Sequence, residues 1–151
     1  MKVGFTGTRM GMSLPQLRTA RELLTSVGTT ELHHGDCLGA DADMHAIAKN
    51  KGVIVVIHPP QGYRNRAFSK DANEIRLAKP YLDRDRAIVD ETDCLIATPL
   101  TSDEWREPRS GTWATIRMAR KKGVPIYIIM PNGSVRKENC DAKELETGSD
   151  R

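Results

Sequence analysis

Val53-Ile54-Val55-Val56-Ile57-His58 is a run of five β-branched residues closed by a histidine. A strand made from it has no face that suits water, so it reads as buried on both sides, as strands of a helix-covered parallel sheet are. Working outward, Gly52 separates this strand from a helical stretch over 40–51, with Ala42, His45, Ala46 and Ala48 available for packing. A short strand over 29–34 precedes it. Before that, Leu14, Leu17, Ala20, Leu24 and Val27 recur at helical spacing. Ser13 suits the N-cap of that helix, Pro15 its first turn and Gly28 its end. A strand over 2–6 opens the chain. Downstream, residues 59–82 are irregular, with Pro59, Pro60, Gly62 and Pro80, and one short helix is expected near 70–78. Then come a helix over 84–91, a strand over 94–98, a polar loop over 99–110, a helix over 111–122 ended by Gly123, and a strand over 125–130. Five strands alternating with helices predict an α/β fold, doubly wound, with a mainly parallel five-stranded sheet and helices on both faces.

The 151 residues suit one domain with a real hydrophobic core, expected over 1–131. Residues 132–151 are charged and polar and are expected to be a disordered tail. The net charge of +3 favours an anionic ligand without demanding nucleic acid or a membrane. No apolar run approaches the roughly 20 residues of a membrane helix. The start, Met1-Lys2-Val3-Gly4-Phe5, goes directly into a strand pattern and leaves no room for a signal peptide. Cys37, Cys94 and Cys140 are odd in number and lack CxxC spacing, which points to a reducing, cytoplasmic setting.

Three loops follow expected strands with similar chemistry: Gly7-Thr8-Arg9, Gly35-Asp36-Cys37-Leu38-Gly39-Ala40-Asp41 and Arg109-Ser110-Gly111-Thr112. Ligands of doubly wound sheets sit at these carboxyl ends, near the switch in strand order. Glycine lets backbone N–H groups approach a ligand, and a helix N-terminus adds unpaired donors and partial positive charge. Ser110-Gly111-Thr112 therefore reads as an anion cradle, with Arg109 as its charged partner. Each glycine alone could equally make only a turn, and Ser110 only a cap. Neither GxGxxG nor GxxxxGK[ST] is present.

Asp36, Asp41, Asp85, Glu104 and Glu107 lie in or near these loops and could do acid–base work, or simply charge a helix start or face water. His33, His34, Cys37 and His45 match no standard zinc spacing, and strand alternation sends His33 and His34 to opposite faces, so no metal is expected on them. Arg64, Arg66, Lys70 and Arg76, with Tyr63 and Phe68, could grip phosphates, stack a base or form a solvated loop. Trp105 and Trp113 could flank a base; Trp113 could equally be core or dimer interface.

Together, Gly7-Thr8-Arg9, His34-Gly35-Asp36-Cys37-Leu38-Gly39-Ala40-Asp41, Asp93-Cys94-Leu95-Ile96-Ala97 and Arg109-Ser110-Gly111-Thr112-Trp113 resemble the SLOG superfamily of Rossmann-like domains. The similarity is strongest to its small stand-alone branch related to YspA; the superfamily also holds the Smf/DprA DNA-processing proteins and the LOG phosphoribohydrolases. It spans residues 2–130. Arg84-Asp85 resembles the family's Arg-Asn helix start, with Asp85 where Asn is usual. The resemblance implies a nucleotide-type ligand; the function expected from the whole reading is hydrolysis or transfer at the N-glycosidic bond of a nucleotide or nucleotide-sugar, with a non-catalytic nucleotide sensor or sequestering protein as the alternative. The resemblance also implies a homodimer, to which Ile116 and Met118 could contribute. In the LOG hydrolases a PGGxGTxxE motif carries an essential glutamate; Thr115 stands at that position here, and Arg109, before Ser110, stands where the motif has a glycine. The expected contacts to ligand or phosphate are Gly7, Thr8, Arg9, Gly35, Asp36, Gly39, Arg84, Arg109, Ser110, Gly111 and Thr112, and the expected catalytic carboxylates are Asp41 and Glu107. No cofactor is expected. Processing of single-stranded DNA is a further alternative, against which the mild charge counts.

Overall fold

The computed structural model describes residues 1–140. Its elements are β1 (Lys2–Gly7), α1 (Leu14–Ser26), β2 (Glu31–His34), α2 (Ala40–Asn50), β3 (Ile54–Ile57), β4 (Glu74–Ile75), α3 (Tyr81–Asp90), β5 (Cys94–Thr98), α4 (Gly111–Lys122), β6 (Ile126–Ile129) and β7 (Val135–Glu138). The sheet runs β4-β3-β2-β1-β5-β6-β7, parallel except for the antiparallel β6–β7 pair. The chain winds outward from β1 to β4, then returns beside β1 with β5. The crevice between the ends of β1 and β5 is thus the switch point, where open α/β sheets bind ligands.

Helices cover both faces. Ala20 and Leu24 of α1 and Met44, Ile47 and Ala48 of α2 pack with Val3, Phe5, Leu32, Val55 and Ile57 in one core layer. Val89 of α3 and Trp113, Ile116 and Ala119 of α4 form the other with Leu95, Ile126 and Ile128. The caps follow the sequence: Ser13 Oγ accepts from the Gln16 N–H at 3.1 Å and Gln16 Oε1 accepts from the Ser13 N–H at 2.9 Å, a reciprocal capping box. Buried Gln16 also donates to the carbonyls of Pro99 and Ile129, each at 2.9 Å, tying α1 to the segments that leave β5 and β6.

The sheet has seven strands where five were expected. No helix forms near 70–78; Glu74–Ile75 pairs with β3 instead. The edge of β3 needs hydrogen-bond partners, and Asn73 supplies them: its Oδ1 accepts from the Val55 N–H and its own N–H donates to Val55 O, both at 2.9 Å. The start of the expected tail is also ordered. Val135–Glu138 pairs with β6, Val135 packs on the core, and the Arg120 guanidinium grips Glu138 at 2.7 Å. The rest of that expectation, residues 141–151, lies outside the described residues. Ile116 is fully buried and belongs to the core, and Met118 is partly buried against the same layer. Among the described residues no helix is long and apolar enough to cross a membrane.

Candidate functional site

A cavity of about 410 Å³ opens over the carboxyl ends of β1, β2 and β5. It brings together Gly7, Thr8, Arg9, Gly35, Asp41, Arg84, Glu107, Arg109, Ser110, Gly111 and Thr112, from all three loops singled out in the sequence. Asp36 and Gly39 do not line it. Asp36 is fully buried and turned away: its carboxylate accepts from Arg66 Nε and the Ser69 N–H, both at 3.0 Å, and its carbonyl from the Ala67 N–H at 2.7 Å. It staples the second loop to the 59–82 excursion. Gly39 has φ +87°, and a Cβ there would overlap the backbone of Arg9, so its role is to let the first two loops touch.

One wall is buried and densely paired. Arg84, at 5 % exposure, donates to Asp85 Oδ1 at 2.6 Å, to Gly35 O at 2.6 Å and to His58 O at 3.3 Å. A Cβ at Gly35 would overlap that guanidinium, which is why glycine stands there. Arg84 is therefore the brace of this wall, with its donors largely committed inside the protein. Asp41, at 5 % exposure in the first turn of α2, accepts from the Cys37 N–H at 3.0 Å through Oδ2. Its Oδ1 is buried without a protein partner. Burial raises its pKa to about 7, against the lowering effects of the Cys37 N–H and Arg84. Burial likewise raises the Cys37 thiol and the Asp85 carboxyl.

The other wall is open. Ser110 caps α4, accepting from the Trp113 N–H at 3.2 Å, and exposed Arg109 stands beside it. A Cβ at Gly111 would meet nothing within 4 Å, so the approach to the first turn of α4 is clear. Arg9 faces the same opening and is exposed. Glu107 lines the cavity, but its Oε2 accepts from the Thr101 N–H at 3.0 Å, Thr101 Oγ1 at 2.6 Å and Trp113 Nε1 at 3.1 Å. It fastens the 99–110 loop to α4. Trp113 is wholly buried and serves the core, not a base.

Tyr81 and Arg117 are among the lining residues that the sequence reading missed. Tyr81 enters because α3 starts directly after Pro80, three residues before the expected start; that proline was the available signal. Arg117 lies seven residues after Ser110, two helical turns along the same face, a spacing legible in the sequence. Tyr63 and Phe68 do not line the cavity; Phe68 sits under the Arg66 guanidinium, 4.5 Å from it. Histidine pairing follows strand alternation: His33 faces His58, and His34 faces His45 on the other side of the sheet.

No protein-family model matches the chain, and no curated protein is detectably similar to it in sequence. Solved structures do share its fold. A molybdenum cofactor binding protein from Rippkaea orientalis is 18% identical, with TM-score 0.64 over 99% of this chain and 82% of its own. A molybdenum cofactor carrier protein from Chlamydomonas reinhardtii is 23% identical, with TM-score 0.60 over 86% and 75%. DNA processing protein A from Streptococcus pneumoniae is 18% identical, with TM-score 0.62 over 84% of this chain but 49% of its own. The chain has the Rossmann-like fold of these proteins, which agrees with the SLOG resemblance of its loop motifs.

Proposed function

We propose that the protein binds a phosphate-bearing nucleotide or nucleotide derivative in the cavity at the switch point, and that Asp41 is the acid of an N-glycosidic cleavage there. The observation that carries this reading is the Asp41 carboxyl: buried, holding its proton up to about pH 7, with one oxygen unpartnered beside a cavity. The volume falls in the range of small-ligand sites. The first turn of α4, with Arg109 and Arg9 beside it, supplies N–H donors and positive charge for a phosphate.

In the reaction, the Asp41 proton moves to a nitrogen of the departing base as the bond from that nitrogen to the sugar C1′ breaks. Water then supplies hydroxide to C1′ and its remaining proton returns to Asp41, so the carboxyl is restored. A carboxyl with a pKa near 7 suits this work, because both of its forms are populated at neutral pH. Glu107 is the weaker candidate, since three donors already occupy its Oε2.

Binding without cleavage is the second reading. It is favoured by Thr115, which stands where the LOG hydrolases carry their glutamate; its hydroxyl donates to Gly111 O at 2.9 Å instead. Two proteins of the same fold bind or carry a cofactor. The deciding experiment is mass spectrometry of small molecules released from the purified protein, then chromatography of free base released from a panel of nucleoside monophosphates. Base release that is lost in Asp41→Asn supports the enzyme. Tight binding with no release from any substrate supports the sensor or carrier. No bound nucleotide and no affinity for the panel removes both. Homodimer formation, implied by the resemblance, is read by light scattering as twice 16.8 kDa.

A further inference from the structure

The four histidines are all buried, in two facing pairs. The His34–His45 pair is completely satisfied. The Asp36 N–H donates to His34 Nδ1 at 2.9 Å, His34 Nε2–H donates to His45 Nδ1 at 2.9 Å, and His45 Nε2–H donates to Lys70 O at 2.7 Å. Each imidazole gives one proton and accepts one, as neutral rings do. The other pair does not close in this way. His33 Nε2–H donates to Glu31 Oε1 at 2.7 Å, which leaves Nδ1 with a lone pair, 2.8 Å from His58 Nε2. On the far side, His58 Nδ1 faces Glu91 Oε2 at 3.8 Å. A neutral His58 has one N–H for these two acceptors, so a second lone pair is turned toward a carboxylate or another imidazole. The cluster has more electron pairs than protons to place between them.

We propose that His33, His58 and Glu91 form a binding site for one divalent transition-metal ion of zinc type, separate from the cavity at the strand ends. One donor atom from each of the three lies within 4.8 Å of the others. Tetrahedral zinc with bonds of about 2.0–2.2 Å places its ligands roughly 3.4 Å apart. His33 Nδ1 and His58 Nε2, 2.8 Å apart, therefore part slightly, and the Glu91 carboxylate, which lies nearer His58 Nδ1, swings round the edge of the ring to the Nε2 side. Glu91 can do so: it follows the last turn of α3 and is part exposed. Two imidazoles and one carboxylate are a donor set for zinc, cobalt or iron rather than for magnesium or calcium.

The surrounding residues hold these ligands as outer partners of metal sites do. Glu31 fixes the His33 tautomer so that Nδ1 faces the cluster. Arg76 holds Glu91 by Oε1, at 3.0 Å from Nε, and leaves Oε2 toward His58. Exposure on the Glu91 side gives an entry path and a fourth position for water. The backbone of His58 also carries the carbonyl that Arg84 grips, so occupancy stiffens the support of the cavity's paired wall.

The test uses the full chain, freed of any affinity tag and stripped with a chelator, then titrated with Zn²⁺ against a chromogenic chelator. One equivalent is expected at sub-micromolar affinity, with a rise in Tm on Zn²⁺ addition and a visible absorption band when Co²⁺ replaces it. Glu91→Gln weakens Zn²⁺ binding by ~100-fold or more and abolishes the Tm rise, and Glu31→Gln weakens binding by ~10-fold. Asp41→Asn leaves Zn²⁺ affinity unchanged. Glu91→Gln keeps an acceptor for Arg76 at a part-exposed position, so it separates ligand loss from misfolding, which His58→Asn alone would not. A wild type that holds no stoichiometric Zn²⁺ against the chelator overturns the proposal. So does a Glu91→Gln protein that binds Zn²⁺ as the wild type does, which would place the metal elsewhere in the chain.

Discussion

The two walls of the cavity are built on opposite physical plans. The wall made by the second loop and α3 is buried and internally committed: Arg84 braces Gly35, His58 and Asp85, and Asp36 is stapled to the excursion. The wall made by the 99–110 loop and α4 exposes Arg109, leaves Gly111 open and carries its first-turn N–H groups toward the space between. A fixed wall can hold an acid in an unfavourable state, because its surroundings cannot relax; an open wall can accept a charged group from solvent at little reorganisation. Changes in the first wall are therefore expected to register in stability, and changes in the second in affinity.

The largest effect is expected from Arg84→Ala. It leaves Asp85 buried without its partner and two carbonyls without their donor, and is expected to cost about 3–5 kcal/mol in urea unfolding. A loss below ~1 kcal/mol would mean that the wall is not braced as described.

Asp41→Asn tests whether the fixed wall stores the acid at a cost. Turnover should fall by ~10²-fold with ligand affinity within a few-fold. Stability should move the other way. The folded-state pKa of Asp41, about 7, lies above its ordinary value of 3.8, so the native protein binds the extra proton between those values. Its contribution is thus present below pH 3.8, is lost as pH rises through 7, and is flat beyond. The Asn variant should be more stable than wild type at pH 8, by on the order of 2–4 kcal/mol, and equal to it near pH 4. Urea midpoints across that range check the sign.

Gly111→Val probes the open wall. A Cβ there has room in the protein itself, so folding should hardly change, while a phosphate loses its close approach. Calorimetry should report about 1–3 kcal/mol weaker binding of the best nucleotide in the panel. A matched loss of stability, or unchanged affinity, would blur the contrast between the walls.

The smallest effect is expected from acid acting on the His34–His45 link that ties the second loop to the excursion. Burial, with His45 beside it, lowers the His34 pKa from 6.5 to about 3. The unfolded chain therefore takes up a proton that the native protein refuses. Stability is full above pH 6.5 and declines as pH falls toward 3, by about 1–2 kcal/mol at pH 5. A His45→Asn variant should lose part of this slope in urea titrations at pH 5 and 7.

Much of the cavity was legible because strand, glycine loop and helix start follow one another in sequence. The open wall is of this kind: Arg109-Ser110-Gly111-Thr112 is continuous, and its capping and charge need no distant partner. The fixed wall was legible only in part. Asp36 looked like a ligand contact, yet Arg66, Ala67 and Ser69 claim it from about thirty residues away. Glu107 was an expected catalytic carboxylate, and the Thr101 and Trp113 donors on its Oε2 make it the weaker candidate. The edge strands β4 and β7 were missed because each is short and polar and exists only to pair with an exposed edge.

The sequence by itself determined the alternation of buried strands and amphipathic helices, the parallel sheet, and the convergence of three glycine-bearing loops on one edge. These follow from local periodicity and from chirality rules that act on any such pattern. Only the tertiary structure decided which charged residues are spent inside the fold and which face the cavity. It left Asp41 Oδ1 without a partner, filled the space before Gly35 with Arg84, and set His33 and His58 between Glu31 and Glu91. Burial and pairing are properties of what surrounds a group, and in this chain most of those surroundings come from residues far away in sequence.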